Sequence, residues 1–427
     1  MVPLKNLKNK KILIFGAGLS GLSTIKKLKN KVKDLSFWDD NLKIRMQVKK
    51  NFNLKSDPRF FLKFFDYIIM SPGIDIYQHP KKKFFKKNFS KIITDIDIFT
   101  SSIDLKKNKI ILITGTNGKS TFSKLLYHVL KNKNKNTHLL GNYGEPVLNY
   151  KQNKYKNYYI LELSSYQIEY SKFLRSNVCS VLNITPDHLQ RHKNFSNYIN
   201  IKLRIFDSLI NTGVGYVSES FPFFDKIKNK KVYKAKLLNK IYLKNKFLNK
   251  ESFISSISIT YKILKFLKIS DKVIFKSFTT FRPLPHRQEF VKKIGNVIFI
   301  NDSKATNFES SKFSLEYYNN IYWIVGGLLK KNDKLKLSNF VIGKIRQIYL
   351  IGKNMTFLNS QLPKKINKSK CKTLINAVHK SFKDAKSFGL KNSVVLLSPA
   401  AASFDQFDNF EHRGNEFKKI VRSIKNV

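Results

Sequence analysis

Residues 110–121 read IILITGTNGKST, an apolar run followed by a turn that carries glycine, lysine and hydroxyl residues. The β-branched run Ile110–Ile113 predicts a buried strand, and the sequence after Gly118 predicts a helix through about Lys131. A strand, a glycine turn and a helix in this order bind phosphate, because backbone N–H groups and the helix N-terminus face the anion. The stretch therefore predicts an α/β domain that binds ATP.

This turn departs from the commonest phosphate loop, because the position five residues before Gly118 is Ile113 and not glycine. The turn can nevertheless bind phosphate in the usual way. Backbone donors wrap the β- and γ-phosphates, Lys119 neutralises them, and Ser120 or Thr121 binds Mg²⁺. The candidate nucleotide-binding residues here are Gly115, Thr116, Asn117, Gly118, Lys119, Ser120 and Thr121.

A second glycine turn, GAGLSG at residues 16–21, follows the apolar run Lys11–Phe15 and opens a helical stretch. Asp39 and Asp40 come about 20 residues later, where a dinucleotide-binding unit places its ribose-binding carboxylate. Any nucleotide diphosphate fits this pattern, whether NAD, FAD or a UDP-sugar. A packing turn that binds nothing remains the alternative. Ser71, which also closes a strand, is a candidate for a further phosphate or base contact.

Short β-rich runs alternate with turns and amphipathic helical stretches along the chain, which favours parallel sheets covered by helices. The predicted strands are Lys11–Phe15, Leu35–Trp38, Tyr67–Met70, Ile110–Ile113, Tyr158–Leu163, Val178–Asn183, Val297–Asn301, Ile321–Val325, Gln347–Ile351 and Ser393–Leu397. The pattern restarts near residues 1, 108 and 286. We therefore predict three α/β domains, at 1–100, 101–284 and 285–427. The segment Phe221–Lys250 is too irregular for an assignment.

Charge is the unusual feature of the composition, because 81 Lys and Arg against 28 Asp and Glu give the 427-residue chain a formal net charge of +53. Such a potential attracts phosphates of any kind. The lysines are scattered with asparagine through every segment and not gathered in one stripe, which favours solvated helix faces over a nucleic-acid surface. We expect no specific nucleic-acid partner.

The redox and targeting features of the sequence are those of a cytoplasmic protein. Cys179 and Cys371 lie in unrelated segments, so neither a disulfide framework nor a thiolate metal cluster is expected. The apolar run Ile12–Leu19 contains two glycines and continues into helix-forming sequence, unlike a signal peptide. No stretch approaches the roughly 18 to 20 apolar residues that a membrane span needs.

Three further residues are candidates for a metal centre. Glu162 ends a predicted strand and offers the hard oxygen that Mg²⁺ selects. His188 lies just after the next strand. Either residue alone is more often a polar loop residue or a helix cap, and Lys202 alone is typical of a helix surface.

A series of short strings follows one order along nearly the whole chain. They are GAGLSG at 16–21, SPGI at 71–74, GTNGKST at 115–121, GNYG at 141–144, ELSSYQ at 162–167, PDHLQR at 186–191, KLRIF at 202–206, LPHR at 284–287, NDSKATN at 301–307, GGLLK at 326–330 and SPAAASFDQFDNFEHRG at 398–414. Together they resemble the Mur ligase family. Folylpolyglutamate synthase shares the short phosphate loop, whereas NDSKATN and the last string single out the member that adds D-glutamate.

The resemblance implies a Rossmann-like N-terminal domain that holds UDP, a central P-loop ATPase-type domain with a mainly parallel sheet, and a Rossmann-like C-terminal domain that closes over both. For the UDP-muramoyl substrate it implies Gly16, Gly18, Leu19, Ser20, Gly21, Asp39, Ser71 and Asn142. For D-glutamate it implies Thr306, Lys330, Ser403, Phe404 and Phe410. Around the nucleotide it adds Asn249, His286, Arg287 and Asp302.

The catalytic residues that the resemblance implies are Lys119, Glu162, His188, Lys202 and Lys304. Ser120, Glu162, His188 and Lys202 would hold Mg²⁺, with Lys202 as the carbamate that the family forms. A carbamate suits this role, because it offers anionic oxygens where an ammonium would repel the metal. The sequence departs from the family pattern at two places. Of the family's HNxxN motif only Asn249 is kept, with Leu248 and Ser252 at the other two positions. Asp40 stands where the family commonly has a small hydroxyl residue.

The implied activity is the ATP-dependent joining of D-glutamate to UDP-N-acetylmuramoyl-L-alanine through an acyl phosphate, by a monomer, during cell-wall precursor synthesis. A nicotinamide dehydrogenase would use the first glycine turn but not GTNGKST. A basic P-loop nucleic-acid ATPase would explain the net charge and would bind DNA or RNA with steep salt dependence. A sister ligase, or folylpolyglutamate synthase, would share the ATP site and differ in the C-terminal pocket.

Overall fold

The structure is a computed structural model that describes residues 2–54, 56, 64–150, 153–245, 247–329 and 337–425. The chain divides into two compact units, Met1–Phe281 and Arg282–Val427. The first unit contains a four-stranded and a six-stranded sheet, and the second contains another six-stranded sheet.

The first sheet has the order β2-β1-β3-β4 and is parallel throughout. Its strands are β1 (Lys11–Phe15), β2 (Asp34–Trp38), β3 (Tyr67–Met70) and β4 (Ile92–Ile93). Its helices are α1 (Leu19–Leu28), α2 (Leu42–Phe52), α3 (Lys82–Lys87) and α4 (Asp95–Ser102). Because the chain leaves β1 for one side and later returns on the other, a crevice opens between the carboxyl ends of β1 and β3, where ligands of such sheets bind.

The second sheet has the order β10-β9-β8-β5-β7-β6 and is also parallel throughout. Its strands are β5 (Lys109–Thr114), β6 (Thr137–Gly141), β7 (Tyr158–Glu162), β8 (Ser176–Val181), β9 (Leu209–Ser218) and β10 (Val232–Ala235). Its helices are α5 (Lys119–Lys133), α6 (Ser165–Tyr170), α7 (Leu189–His192), α8 (Phe195–Leu203), α9 (Glu251–Phe266) and α10 (Asp271–Thr280). The central strand β5 is buried from Ile110 onward, as its run of β-branched residues predicts.

The third sheet has the order β11-β12-β16-β13-β14-β15, and only the β11–β12 pair is antiparallel. Its strands are β11 (Glu289–Ile294), β12 (Val297–Asn301), β13 (Ile321–Gly326), β14 (Ile345–Ile351), β15 (Lys368–Lys372) and β16 (Ser393–Leu397). Its helices are α11 (Phe308–Tyr317), α12 (Asn339–Lys344), α13 (Met355–Gln361), α14 (Leu374–Ser387) and α15 (Phe410–Ser423). Helices on both faces bury the central strands β13 and β16 completely.

Local sequence fixes where several helices begin. Thr94 and Ser164 each form a capping box with the residue three positions later, which starts α4 and α6. The Asn409 side chain accepts the N–H of His412 at the start of α15. Two of these helix starts, Ser164 and Asn409, lie inside the strings ELSSYQ and SPAAASFDQFDNFEHRG, so the caps help to fix the backbone of these motifs.

The prediction of an α/β fold with mainly parallel sheets is confirmed. All ten predicted strands are present within one or two residues, and the segment Phe221–Lys250 contributes β10. The three-domain division at residues 100 and 284 stays a prediction. Among the described residues, no helix is long and apolar enough to cross a membrane.

Candidate active site

The first glycine turn lies at the crevice between β1 and β3. Gly16 has a φ of +92°, and a Cβ there would lie 2.6 Å from Cβ of Ser71, so the position requires glycine. A Cβ on Gly21 would come within 2.0 Å of the Gly16 carbonyl oxygen. By contrast, a Cβ on Gly18 would meet nothing within 4 Å. The turn is therefore closely packed on its inner side and open at Gly18.

Polar groups from neighbouring strands fix this turn. The Ser71 hydroxyl donates to the Gly16 carbonyl at 2.8 Å. Asp39, at the end of β2, accepts the Ala17 N–H at 2.7 Å and the Asn41 N–H at 2.9 Å. Leu19 and Ser20 begin α1, and Leu19 is 81% exposed. The structure thus brings together all the residues predicted for the diphosphate side.

Asp40, the departure noted in the sequence, is committed to neighbouring side chains. One of its oxygens accepts Trp38 Nε1–H at 3.0 Å, and the other lies 2.9 Å from His79 Nε2. The His79 Nδ1 accepts the Lys81 N–H, so Nε2 carries the proton that Asp40 receives. Partial burial alone would raise the pKa of Asp40, but the hydrogen bonds from His79 and Trp38 outweigh it and lower the pKa. Asp40 is therefore an acceptor inside a small network.

The phosphate loop lies between β5 and α5, where Gly118 adopts a φ of +80°. Lys119 Nζ donates to the carbonyl oxygens of Gly115 at 2.9 Å and Thr116 at 2.8 Å. This arrangement holds the ammonium along the loop, where the phosphates of a nucleotide would lie. Ser120 and Thr121 follow in the first turn of α5 and are buried.

Asn183, just after β8, holds the loop from the other side. Its side-chain oxygen accepts the N–H groups of Thr116 at 3.1 Å and Asn117 at 2.9 Å. Its amide nitrogen donates to the Asn117 carbonyl at 3.1 Å. The Thr116 hydroxyl also contacts the Thr185 carbonyl at 3.1 Å. A single amide side chain therefore fixes two consecutive residues of the loop.

Lys202 lies beside the same loop and is 1% exposed. Its Nζ donates to the Gly115 carbonyl at 2.8 Å and lies 3.4 Å from Thr114 Oγ1. Burial, reinforced by the charge of Lys119, lowers the pKa of Lys202 well below its ordinary value, although Asp187 and Glu162 act in the opposite direction. The expectation from Lys202 alone, a solvated helix lysine, is wrong. The side chain is a buried amine with a tendency to be neutral.

Glu162, at the end of β7, is a buried carboxylate with one satisfied oxygen. Oε1 accepts Asn142 Nδ2–H at 2.8 Å, whereas Oε2 is buried without a hydrogen-bond partner. A buried carboxylate oxygen left in this way is costly unless a cation neutralises it. The residue therefore fits a bound Mg²⁺, for which carboxylate oxygens are the usual protein ligands.

His188 is placed differently. Its Nδ1 lies 2.8 Å from the Tyr166 hydroxyl, and its Nε2 lies 3.3 Å from Asp187 Oδ2. In the part of the chain that the structure describes, no three His, Cys, Asp or Glu side chains are grouped as a metal ion would require. The role of His188 as a magnesium ligand stays a prediction.

The second unit brings three motif loops together at the carboxyl ends of β12, β13 and β16. Arg413, which is 1% exposed, ties them. Its guanidinium donates to the Ser303 hydroxyl at 3.0 Å and carbonyl at 2.9 Å, to the Ala401 carbonyl at 3.1 Å and to the Gly326 carbonyl at 3.4 Å. Burial lowers the pKa of Arg413 to about 10, so it remains charged at neutral pH.

Around this point lie several residues predicted to contact the nucleotide and acyl phosphate. Asp302 is buried and accepts the hydroxyls of Ser314 and Ser398, at 2.5 and 3.1 Å. Burial raises the pKa of Asp302 to about 6. His286 is buried against Asn301, whose amide lies 3.0 Å from Nδ1, and burial lowers the pKa of His286. Its backbone carbonyl accepts the Lys304 N–H.

The residues predicted for D-glutamate occupy varied environments. The centre of the Phe410 ring lies 3.7 Å from Nζ of Lys304, the lysine predicted near the acyl phosphate. Thr306 is half-buried, Ser403 is buried, and Phe404 is 70% exposed. Lys330 lies outside the described residues.

Two further residues predicted beside the nucleotide, Arg287 and Asn249, lie in different parts of the structure. Arg287 is half-buried, and its charge acts on Asp302. Asn249 is exposed in the turn before α9, and its neighbour Leu248 is buried in the core. Their contacts with ATP stay predictions.

Comparison with known proteins decides the family. A model of the Mur ligase middle domain matches residues 113–274. The UDP-N-acetylmuramoylalanine–D-glutamate ligase of Bartonella henselae is 32% identical over the whole of both chains. The enzyme of the same name from Rickettsia prowazekii is 33% identical over 97% of this chain and 98% of its own. This chain belongs to the Mur ligase family.

Solved Mur ligases share its fold. MurF from Thermotoga maritima in complex with ADP superposes with a TM-score of 0.54 at 14% identity, covering 99% of this chain and 97% of that one. MurC from the same organism gives a TM-score of 0.54 at 13% identity, covering 98% and 100%. At these identities the likeness establishes the fold alone.

Two residues that hold the motif loops of this Mur ligase were not singled out from its sequence. Asn183 looked like the end of a strand, and Arg413 lay inside the last motif string without a role. Their importance comes from backbone groups that they contact in distant segments. No local pattern indicated either role, because both depend on burial and on contacts between segments far apart in the sequence.

Proposed function

We propose that this chain is an ATP-dependent ligase that joins D-glutamate to UDP-N-acetylmuramoyl-L-alanine in peptidoglycan precursor synthesis. The observation that carries the proposal is full-length similarity, at about 30% identity, to enzymes of that name. The two glycine turns support it, because the reaction needs one place for a diphosphate-linked sugar and one for a triphosphate. The sister-ligase and nucleic-acid alternatives have no comparable support.

The first step activates a poor electrophile. The alanine carboxylate of the substrate attacks the γ-phosphorus of ATP, the bond to the β-phosphate oxygen breaks, and ADP leaves. Lys119 lies along the loop where it neutralises the phosphates as negative charge moves between them. Mg²⁺, when bound, shields the same oxygens, and Ser120, Glu162, His188 and Lys202 are the residues that would hold it.

The second step forms the amide. The amine nitrogen of D-glutamate attacks the acyl carbon, the bond to the phosphate oxygen breaks, inorganic phosphate leaves, and the amine gives up a proton. Thr306, Lys330, Ser403, Phe404 and Phe410 would bind D-glutamate, and Lys304 would lie near the acyl phosphate. Holding the amine in attack position converts a bimolecular reaction into a nearly unimolecular one.

Lys202 has the surroundings that carbamate formation requires. A neutral amine attacks CO₂, a nitrogen–carbon bond forms, and one proton is released. Burial favours the neutral amine, since it lowers the pKa of Lys202. The product replaces a neutral amine with an anion, which would help to hold the Mg²⁺ that the unpartnered oxygen of Glu162 would bind.

The proposal assigns UDP binding to residues 1–100, ATP binding to 101–284 and D-glutamate binding to 285–427. It places the enzyme in the cytoplasm, where UDP-linked precursors and ATP occur together, and describes it as a monomer.

Phosphate release from ATP tests the function directly. The purified chain is incubated with ATP, Mg²⁺ and UDP-N-acetylmuramoyl-L-alanine, and a panel of amino acids is added one at a time. We expect phosphate release and a new amide only with D-glutamate. Equal use of L-glutamate, or release that needs no UDP-sugar, would contradict the assignment.

A further inference from the structure

Two loops that carry predicted site residues lie against each other inside the first compact unit. One follows β3 and begins at Ser71, and the other includes α7 and begins at His188. Gln78 Nε2 donates to the Gln190 carbonyl at 3.4 Å, and an Asp75 carboxylate oxygen lies 3.9 Å from Arg191. The loop on the diphosphate side is therefore in direct contact with the loop beside the phosphate-binding sheet.

Tyr170, the last residue of α6, joins the two loops through its hydroxyl. The hydroxyl donates to the Ile74 carbonyl at 2.8 Å and accepts the Ile76 N–H at 3.3 Å and an N–H of Arg191. One donor and two lone pairs are the full capacity of a phenol oxygen. Burial raises the pKa of Tyr170, so the hydroxyl keeps its proton. Phenylalanine, which has the same ring without the hydroxyl, could make none of these three bonds.

Arg191 adds further contacts to this junction between the two loops. It is 9% exposed, and its Nε and Nη2 both reach Glu169 Oε2, at 3.1 and 3.0 Å. Its guanidinium lies 5.2 Å from the ring centres of Tyr166 and Tyr170. An ion pair that is buried and stacked in this way holds one geometry, because its planar donors match few alternatives.

The segment after α6 also forms hydrogen bonds with α4, a helix that packs on the first sheet. Asp97 of α4 accepts the N–H groups of Lys172 at 3.0 Å and Phe173 at 2.7 Å. Asp97 also accepts the Thr94 N–H at 2.9 Å. The segment is therefore fixed on both sides, and Tyr170 lies between a rigid helix end and the loop after β3.

We infer that Tyr170 and Arg191 are positioning residues that set the distance between the diphosphate-binding turn and the phosphate-transfer centre. The inference rests on the proposed function, in which one substrate must hold its diphosphate near Ser71 and present its carboxylate near Glu162. Both ends then fit only if the two loops keep their spacing. Since misplacement by about 1 Å can cost about a hundredfold in rate, a junction between the loops acts on catalysis without touching the reacting atoms.

Tyr170→Phe is the sharpest test, because it keeps the buried ring and removes only the hydroxyl. We expect kcat/KM for UDP-N-acetylmuramoyl-L-alanine to fall by about tenfold, while the KM for ATP stays within about twofold. Tyr349→Phe is the matched control, because Tyr349 is also fully buried and donates one hydrogen bond, to Asp384 at 2.8 Å. It lies in the other compact unit, and we expect it to change Tm but neither kinetic constant.

Arg191→Lys gives an independent answer and replaces Tyr170→Phe should that variant not fold. It keeps the charge but loses the planar donors, so the same selective loss is expected. If both variants lower Tm as Tyr349→Phe does and leave the UDP-sugar kinetics unchanged, Tyr170 and Arg191 are only structural and the inference is overturned. Failure of the proposed function looks different, because the unmodified enzyme would then release no phosphate with the UDP-sugar.

Discussion

The two glycine turns of the first unit share a strand–turn–helix design but surround their ligands with different chemistry. Residues 16–21 carry no charged side chain, and the carboxylate of Asp39 already accepts the backbone N–H of Ala17. The turn at residues 115–118 leads directly into Lys119 and lies against the buried amine of Lys202. One turn therefore offers backbone and hydroxyl donors without a basic side chain, whereas the other adds two basic groups.

This difference separates binding from reaction. A diphosphate that stays intact needs only fixed donors and a close approach, which glycine and a helix N-terminus supply. A phosphate that is transferred changes its charge during the reaction, so groups that respond to that charge must be held nearby. The first turn is accordingly expected to determine affinity for the UDP-sugar, and the second to determine turnover.

Lys119→Ala should produce the largest effect. Loss of the ammonium removes the main protein charge on the phosphates, and we expect turnover to fall by at least about a thousandfold. Binding of UDP-N-acetylmuramoyl-L-alanine, measured by calorimetry, should remain. Lys124→Ala on the same helix is the control and should retain activity. Unchanged phosphate release in Lys119→Ala would show that the loop is not the ATP site.

Lys202→Ala should come next, with a loss of about a hundredfold. If the lysine acts as a carbamate, a short carboxylic acid added to the solution should restore part of the activity, since its oxygens can occupy the vacated space. The same acid should do nothing for Lys119→Ala. A Lys202→Ala enzyme with normal turnover would exclude the carbamate.

Gly18→Ala addresses the first turn. A Cβ at Gly18 meets nothing within 4 Å, so the variant should fold normally and yet obstruct a diphosphate that approaches the backbone. We expect the KM for the UDP-sugar to rise about tenfold and the KM for ATP to stay constant. Gly343→Ala, where a Cβ also meets nothing within 4 Å, is the control. Equal KM values in both variants would mean that no ligand approaches Gly18.

Strands made of continuous apolar residues were predicted from the sequence, whereas strands rich in lysine or interrupted by glycine were missed, for a physical reason. β5 and β16 are buried on both faces and therefore read as continuous apolar runs. The edge strand β15, with the sequence KSKCK, buries only one residue, so its lysines conceal the strand. In β9, a Cβ on Gly215 would lie 2.8 Å from Val232, so close packing replaced the usual β-branched residue there.

The residues of the candidate site likewise divide into those that the sequence could predict and those that it could not. The phosphate loop and the first glycine turn could be predicted because their chemistry is local, with donors that follow one another in the chain. Asn183, Arg413 and Tyr170 could not, because each acts on carbonyl or N–H groups that only the folded chain brings near. The burial of Lys202 also depends on tertiary packing, which no helical pattern around residue 202 indicates.

The two turns also differ in the ionisable group buried near each of them, a carboxylic acid near the first and an amine near the second. This difference should have a small effect on how stability depends on pH. Near the first turn, Asp95 at the start of α4 is buried, and this burial raises the pKa of Asp95 from 3.8 to about 6. Asp97 contributes to the same shift. A raised carboxyl pKa stabilises the folded chain fully below pH 3.8, and this contribution is lost as the pH rises through about 6.

Asp95→Asn should therefore remove about 1 kcal/mol of pH dependence in the free energy of unfolding between about pH 5 and 6.5. The wild-type chain should lose stability relative to the variant across this range, as measured by urea denaturation at fixed ionic strength. Asp225→Asn, which alters an exposed aspartate, should run parallel to the wild type. If the stability of Asp95→Asn instead follows that of the wild type across this pH range, Asp95 titrates at the same pH in the folded and unfolded chains. The burial of Asp95 would then have no effect on the pH dependence of stability.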